Sequence, residues 1–446
     1  MAKSYSKKFW IIFWSISAVL LAMFYFVLQF KNKTIGEIVN FFPINNQYKA
    51  IVYFADYFME QDNREKTFLV LFQNNMEIRP GGGFIGSFGI LKIKNRRVKN
   101  MQIFDSGNFD KNVSDTILAP YPMPETLHIK WLQLRDSNFS PDFPSDAAAA
   151  EKFYHMGQGQ EKFDGIVGVT SNVLISFLKA TGPVEIPGYP GTYADENAVL
   201  ALEYQVEKAF DEQGIARDDR KDVMNELAEV ILEKISTMSL SQKIDLAKII
   251  YADLDKKDIQ LYFHDPILET QAEQAGWAGR VDQTWEKDYL MTVDANLGAW
   301  KTDRVMKRSL DYSIDLSGAV PKAVLKITYN HTATQRDFMT KDYIDFLRVY
   351  VPAGSELISQ KNADDPVFGA ELGKKYFGFI VYVPLGESKT VEINYILPKD
   401  LADNYNLKIQ KQAGLNDIPV AVHVIGKNGQ KKDYQFTMNG DIVLNK

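Results

Sequence analysis

The sequence predicts an α/β protein carried on an N-terminal transmembrane helix and followed by a β-sandwich. Three observations predict it. Residues 9–30 read FWIIFWSISAVLLAMFYFVLQF without a charge. Strand-like and helix-like segments alternate from about residue 44 to about 264. Beyond Gly276 and Gly279 the chain breaks into short β-rich runs separated by turn residues. With 446 residues, 46% of them hydrophobic, the chain has the length for two or three domains and the apolar content to fill their cores.

The apolar run of 22 residues matches the ~20 needed to cross a ~30 Å hydrocarbon core and exceeds the ~7–15 of a cleavable signal peptide. No small-residue cleavage site follows, so an uncleaved signal anchor is expected. Trp10, Trp14 and Tyr25 suit its interfacial ends, and Lys3, Lys7 and Lys8 precede it while Lys31 and Lys33 follow. The positive-inside bias puts the N-terminus in the cytoplasm and the remainder outside it. Of the net charge of −6, the first 33 residues hold five lysines and no acid, leaving −11 on the rest. An acidic exported body is a poor polyanion binder overall, which argues against nucleic acid as a partner.

After the anchor, apolar residues on one stripe from Ile44 to Gln61 predict a helix. The run TFLVLFQ, residues 67–73, predicts a strand buried on both faces. FIGSFGILKIK and VKNMQIF, flanking Asn95 and Arg96, predict a hairpin. Residues 105–144, rich in Asp, Asn, Ser and Pro, predict a long structured loop. A helix is expected from Ser145, as N-cap, to His155, then a strand at 163–170 and a helix from Asn172 to Ala180 stopped by Thr181-Gly182-Pro183. Helices at about 220–237 and 241–254 follow, and LYFH at 261–264 is placed back in the sheet. The runs DYLMTVD, KAVLKITYNH, DFLRVYVP, YFGFIVYVP, KTVEINYILP and AVHVIG predict the sandwich, immunoglobulin-like in type. The expected division is therefore residues 1–33 for tail and anchor, 34–285 for the α/β part and 286–446 for the sandwich.

Whole chemistries are excluded by composition. Without cysteine there is no disulfide, thiol nucleophile or thiolate metal site. The five histidines are too dispersed for an H-E-x-x-H zinc helix. The densest candidate is QNNMEIRPGGGFIGSFG, residues 73–89. Gly81, Gly83 and Gly86 satisfy G-x-G-x-x-G, but the following ILKIK alternates like a strand, so the helix that a dinucleotide site needs is missing. Glycines can instead let backbone N–H groups converge on an anion, with Arg79 as a bidentate fork for phosphate or carboxylate; the alternative is a tight connection with Arg79 paired to an acid. Asn74, Asn75, Arg79, Gly81, Gly82 and Gly83 are the candidate ligand residues of this segment. Asp136, Asn138, Ser140 and Asp142 space oxygens like the opening of a calcium loop, yet Pro141 and Ala147 break the pattern, so turn and capping roles are expected. Asp105 and Asp142 are the candidate metal residues, for magnesium. Lys92, Lys94, Arg96, Arg97 and Lys99 form a basic patch expected on the solvated face of the hairpin.

The blocks FLVLFQNNMEIRPGGGFIGSFG, SNFSPDFPSDAAA, DGIVGVT with LKATGPVEI, and NLGAWKTDR resemble, in that order, the bacterial envelope family called domain of unknown function 4012. That resemblance implies a membrane-anchored, exported protein of no established activity. A more distant similarity is to LytR-CpsA-Psr transferases, which move glycopolymers from a polyisoprenyl pyrophosphate carrier to cell-wall acceptors. It would put Arg79 at the first catalytic arginine of that family, Asp105 near its second arginine–aspartate pair, Thr181-Gly182-Pro183-Val184 at its "GGV" and Arg220 at its late arginine. The pattern departs at Gly81, where an acid is expected, at Phe104 in place of arginine, and in LEYQVEKAF, which holds no arginine. The implied function is binding, with transfer altered or lost, of an anionic lipid-linked or cell-wall glycopolymer. The alternative is a non-catalytic envelope scaffold or protein-interaction module.

Overall fold

A computed structural model describes residues 45–60 and 63–445, and the expected anchor lies outside them. No helix among the described residues is long and apolar enough to cross a membrane. The fold is mixed α/β with several sheets.

The first sheet holds β1 (Lys66–Asn74), β2 (Phe84–Lys94), β3 (Arg97–Asp105), β4 (Gly165–Thr170) and β5 (Ile259–Phe263) in the order β3-β2-β1-β4-β5. β1 is antiparallel to β2 and parallel to β4, with Leu71 beside Gly168 and Gln73 beside Thr170. Successive side chains of a strand point to opposite faces, and β1 supplies both. Leu69 and Leu71 pack under α2 (Phe143–Met156) with Phe143, Ala147 and Phe153. Phe68 packs on the other face against Phe54 and Phe58 of α1 (Asn46–Met59) and Leu268 and Ala272 of α6 (Pro266–Ala275). Helices α3 (Ser171–Thr181), α4 (Asp222–Thr237) and α5 (Leu240–Asp255) build a third cluster in which Val223 and Leu227 are buried against Phe177 and Leu178. Ser145 is not the N-cap of α2: it lies inside the helix, and its hydroxyl donates to Asp142 Oδ2 at 2.7 Å. Pro144 suits the first turn, where no backbone donor is required, so the helix starts earlier than the serine suggests. The loop at 105–142 is folded into short helical turns.

The sandwich comprises β6 (Asp288–Val293), β7 (Met306–Asp315), β8 (Lys322–His331), β9 (Tyr343–Pro352), β10 (Glu356–Lys361), β11 (Val367–Glu371), β12 (Lys374–Val383), β13 (Ser388–Ile396), β14 (Leu407–Ile409), β15 (Ile418–Ile425), β16 (Lys431–Met438) and β17 (Ile442–Leu444). They form two six-stranded sheets, β10-β13-β8-β7-β15-β16 and β11-β12-β9-β6-β14-β17. One core joins their inner faces, with Leu325, Ile327 and Tyr329 of β8 meeting Val349, Phe377 and Phe379. Val324 lies on the other face of β8, because the buried alternation runs through Ala323, Leu325, Ile327 and Tyr329. The pairs β14/β6 and β15/β7 are parallel. Ile78, from the turn after β1, is buried in this same core.

Candidate functional site

The turn after β1 is a seam between the first sheet and the sandwich. Arg79 is only 3% exposed. Its guanidinium meets Glu77 Oε1 at 2.7 Å and donates to the carbonyls of Asn296 at 2.6 Å and Ile78 at 3.2 Å, and it stacks over the Phe84 ring at 5.4 Å. The Gln412 amide donates to the Arg79 carbonyl at 3.1 Å, and Asn75 Nδ2 donates to Gly414 O at 2.9 Å. Backbone N–H of Ile78 donates to Asp303 Oδ2, and that of Asn296 to Ile78 O.

The glycines serve close approach. Gly82 has φ +133° and Gly414 φ +78°, and a Cβ on Gly414 would fall 1.8 Å from Gly82 O; only glycines let these two backbones meet. The N–H of Gly81 donates to Asn138 O and that of Gly82 to Arg79 O, while Gly83 O accepts from Asn138 Nδ2. Asn75, Arg79, Gly81, Gly82 and Gly83 are thus engaged within the protein.

A second group lies at the other side of the strand ends. In this sheet the C-termini of β1, β3 and β4 and the N-terminus of β2 share one edge, the position where open α/β sheets bind ligands. Asp105, last in β3, caps the short helix that follows by accepting from Asn108 N at 2.8 Å. Lys221, just before α4, reaches Asp105 Oδ2 at 2.8 Å and also donates to Gly86 O, and Arg220 stands 3.9 Å from the same carboxylate. Burial opposes ionisation of Asp105, but Lys221, the Asn108 N–H and Arg220 outweigh it and hold the carboxyl below its ordinary range. Burial draws Lys221 downward despite Asp105. Asp105, Lys221, Asn108 and Asp222 line a cavity of about 350 Å³ together with Ile103 and Phe104.

The cluster extends beyond residues singled out in the sequence. Asn74 Nδ2 donates to Glu203 Oε1 at 2.7 Å, Lys301 Nζ meets Glu203 at 3.2 Å and Glu207 at 3.5 Å, and Arg220 meets Glu207 at 3.5 Å. Burial pushes the Glu203 carboxyl up, and although burial opposes it, the two glutamates hold Lys301 above its ordinary value. Lys301 belongs to the NLGAWKTDR block, and Glu203 and Glu207 to LEYQVEKAF, the segment that departs from the transferase pattern by holding no arginine; neither signal marked these three as site residues.

The structure therefore brings together Asn74, Asp105 and Arg220 and leaves Arg79 and Asp142 elsewhere. Asp142 accepts from Val281 N at 2.9 Å and from Ser145. Asp105 is taken up by cations, and among the described residues no three His, Asp or Glu side chains gather as a cation site. The donor set does not fit magnesium held by Asp105 and Asp142. Asp136 and Asn138 are buried, with Asn138 tied to the glycine turn, in keeping with the turn and capping reading. In the basic hairpin, Lys92 meets Glu161 at 2.8 Å and Arg96 donates to Met59 O at 2.7 Å.

No curated protein matches the chain. Among solved structures, it is similar to Lin1025 from Listeria innocua, at 10% identity and a TM-score of 0.28 over 48% of this chain and 78% of that one. TagV from B. subtilis is similar at 12% identity and a TM-score of 0.29, over 49% and 81%. In agreement with the resemblance carried by its sequence blocks, the chain matches over residues 63–206 the family described as "Protein of unknown function (DUF4012)".

Proposed function

We propose that this is a single-pass membrane protein of a bacterial envelope that binds an anionic, lipid-linked or cell-wall glycopolymer at the Asp105–Arg220–Lys221 cleft. The uncharged span of residues 9–30 with its flanking lysines supports the anchor and the extracytoplasmic placement of the bulk. The division near residue 286 and an immunoglobulin-like role for the sandwich, as spacer or recognition module, belong to the same reading. One observation carries the ligand class: a guanidinium and an ammonium from the start of α4 converge on one carboxylate beside an open cavity at the strand ends. Arginine supplies a planar fork and lysine a point charge, a combination suited to phosphate oxygens. Asp105 orients both cations.

Binding without transfer fits the residues better than catalysis. Arg79 spends its guanidinium on Glu77 and backbone carbonyls, so its donors are not aimed at a leaving group, and electrostatic stabilisation of a transferring phosphoryl group needs donors so aimed. The test is equilibrium binding of inorganic pyrophosphate to the full chain in detergent. Saturable binding that Arg220→Ala weakens about tenfold is expected; indifference to that change would refute the site. The scaffold alternative predicts instead that removing residues after about 285 abolishes capture of an envelope partner while Arg220→Ala leaves it unchanged.

A further inference from the structure

The cations of the cluster already hold anions. Glu203 and Glu207 present carboxylates to Lys301 at 3.2 and 3.5 Å, Glu207 also meets Arg220 at 3.5 Å, and Glu203 takes the Asn74 amide at 2.7 Å. These partners come from the end of β1, the start of α4 and a turn of the sandwich, so the two glutamates sit where three parts of the chain direct donors at one place. None of the groups is sealed. The side chains of Glu203, Glu207, Lys301 and Arg220 keep 19%, 36%, 18% and 21% of their exposure.

The backbone that carries the glutamates is unusual. Residues Ala198–Tyr204 are α-helical, but Gln205–Ala209 form a π-turn. Such turns contain an extra residue and recur at functional sites. Gln205 and Gln213 exchange amide hydrogen bonds at 2.8 and 2.9 Å and clasp the turn from its far end. Glu207 lies within the π segment.

We propose that Glu203 and Glu207 are built-in competitors, occupying on Arg220, Lys301 and Asn74 the positions that a phosphate-bearing dianion takes, so that ligand binding displaces them. This rests on the reading of the cleft as an anion site and adds its ligand class and its regulation. The cluster is charge-balanced, with Arg220, Lys221 and Lys301 facing Asp105, Glu203 and Glu207, so a competitor has to replace two carboxylates at once.

The experiment is equilibrium binding of inorganic pyrophosphate to the full chain and to Glu203→Gln/Glu207→Gln, with Glu229→Gln/Glu233→Gln, two exposed helix positions, as a variant of equal net charge. Circular dichroism and thermal melting establish that each is folded, and Glu207→Gln alone serves should the double change unfold the chain. The glutamine pair is expected to bind about tenfold tighter than the parent, the control within about twofold of it, and the gain to vanish in a Lys301→Ala background. Equal affinity of parent and glutamine pair, with the Arg220→Ala loss intact, overturns the competitor inference and leaves the anion site standing. An equal gain in the control reduces the effect to net charge and also overturns it. Binding by neither parent nor variant overturns both.

Discussion

Arg79 should be a stability residue. Replacement by methionine preserves most of its apolar volume but leaves the Glu77 carboxylate, 6% exposed, without its partner at 2.7 Å, and removes the donors from the carbonyls of Asn296 and Ile78. Stranding one member of a buried ion pair costs about 3–5 kcal/mol. With a urea slope of about 3 kcal/mol/M or more for a chain of this size, the unfolding midpoint should fall by roughly 1 M. Tryptophan fluorescence reads it, since Trp277 and Trp285 pack into hydrophobic clusters and the Trp300 carbonyl accepts from Asn296, the residue that also holds Arg79. The double change Glu77→Gln/Arg79→Met removes both charges and should recover part of the loss, a coupling of about 1–3 kcal/mol in the cycle. An Arg79→Met chain with an unchanged midpoint and abolished pyrophosphate binding would refute the reasoning and return Arg79 to the ligand.

Other expectations follow from buried groups and close contacts. Asp288 lies fully buried among the Tyr405 and Tyr312 hydroxyls, and burial raises its carboxyl to about 6 despite them. Because the folded value exceeds the ordinary 3.8, its stabilising share is complete below about pH 4 and is lost as pH rises to about 6, up to about 3 kcal/mol; unfolding at pH 4.5 and 7.5 should show this drop, and Asp288→Asn should flatten it. Lys411, lowered by burial to about 8, has the opposite sign. The folded chain sheds its proton first, so stability should climb between about pH 8 and 10.5 and cease to do so in Lys411→Met. Gly414→Ala should destabilise by about 2 kcal/mol or more, from a strained positive φ and a clash with Gly82 O; a normal melting temperature would contradict the seam.

Much of the fold was legible because its signals are local. The double-faced apolar run of β1, the hairpin turn at Asn95-Arg96 and the helical stripe Val223–Leu227–Ile231 announce themselves within a dozen residues. Helix α6 went unread although Asp265 caps it, Pro266 opens it and Gly276 closes it with φ +81°; its weak apolar stripe hid that punctuation. Strands β7 and β14 and the edge strands β10, β11, β16 and β17 were also missed. Edge strands bury one side chain in few, and KRSLDYSID breaks its alternation with charges that find partners only in the fold, as Arg308 does with Asp294 and Asp303.

The site divides along the same line. The order of strand-like and helix-like runs determined the order of layers, the uncharged N-terminal run raised the expectation of an anchor, and the resemblance carried by the blocks made Asp105 and Arg220 candidates. Whether the Gly/Arg turn cradles a ligand or welds two layers was decided only by tertiary structure. Both uses need glycine and arginine, and the groups that choose between them, Asn296 and Gly414, arrive from 217 and 339 residues along the chain. The Glu203–Lys301 contact is of the same kind. Local periodicity is written into neighbouring residues, whereas the partner of a charge is set by which distant segments the core brings together, and a single sequence carries no direct record of that.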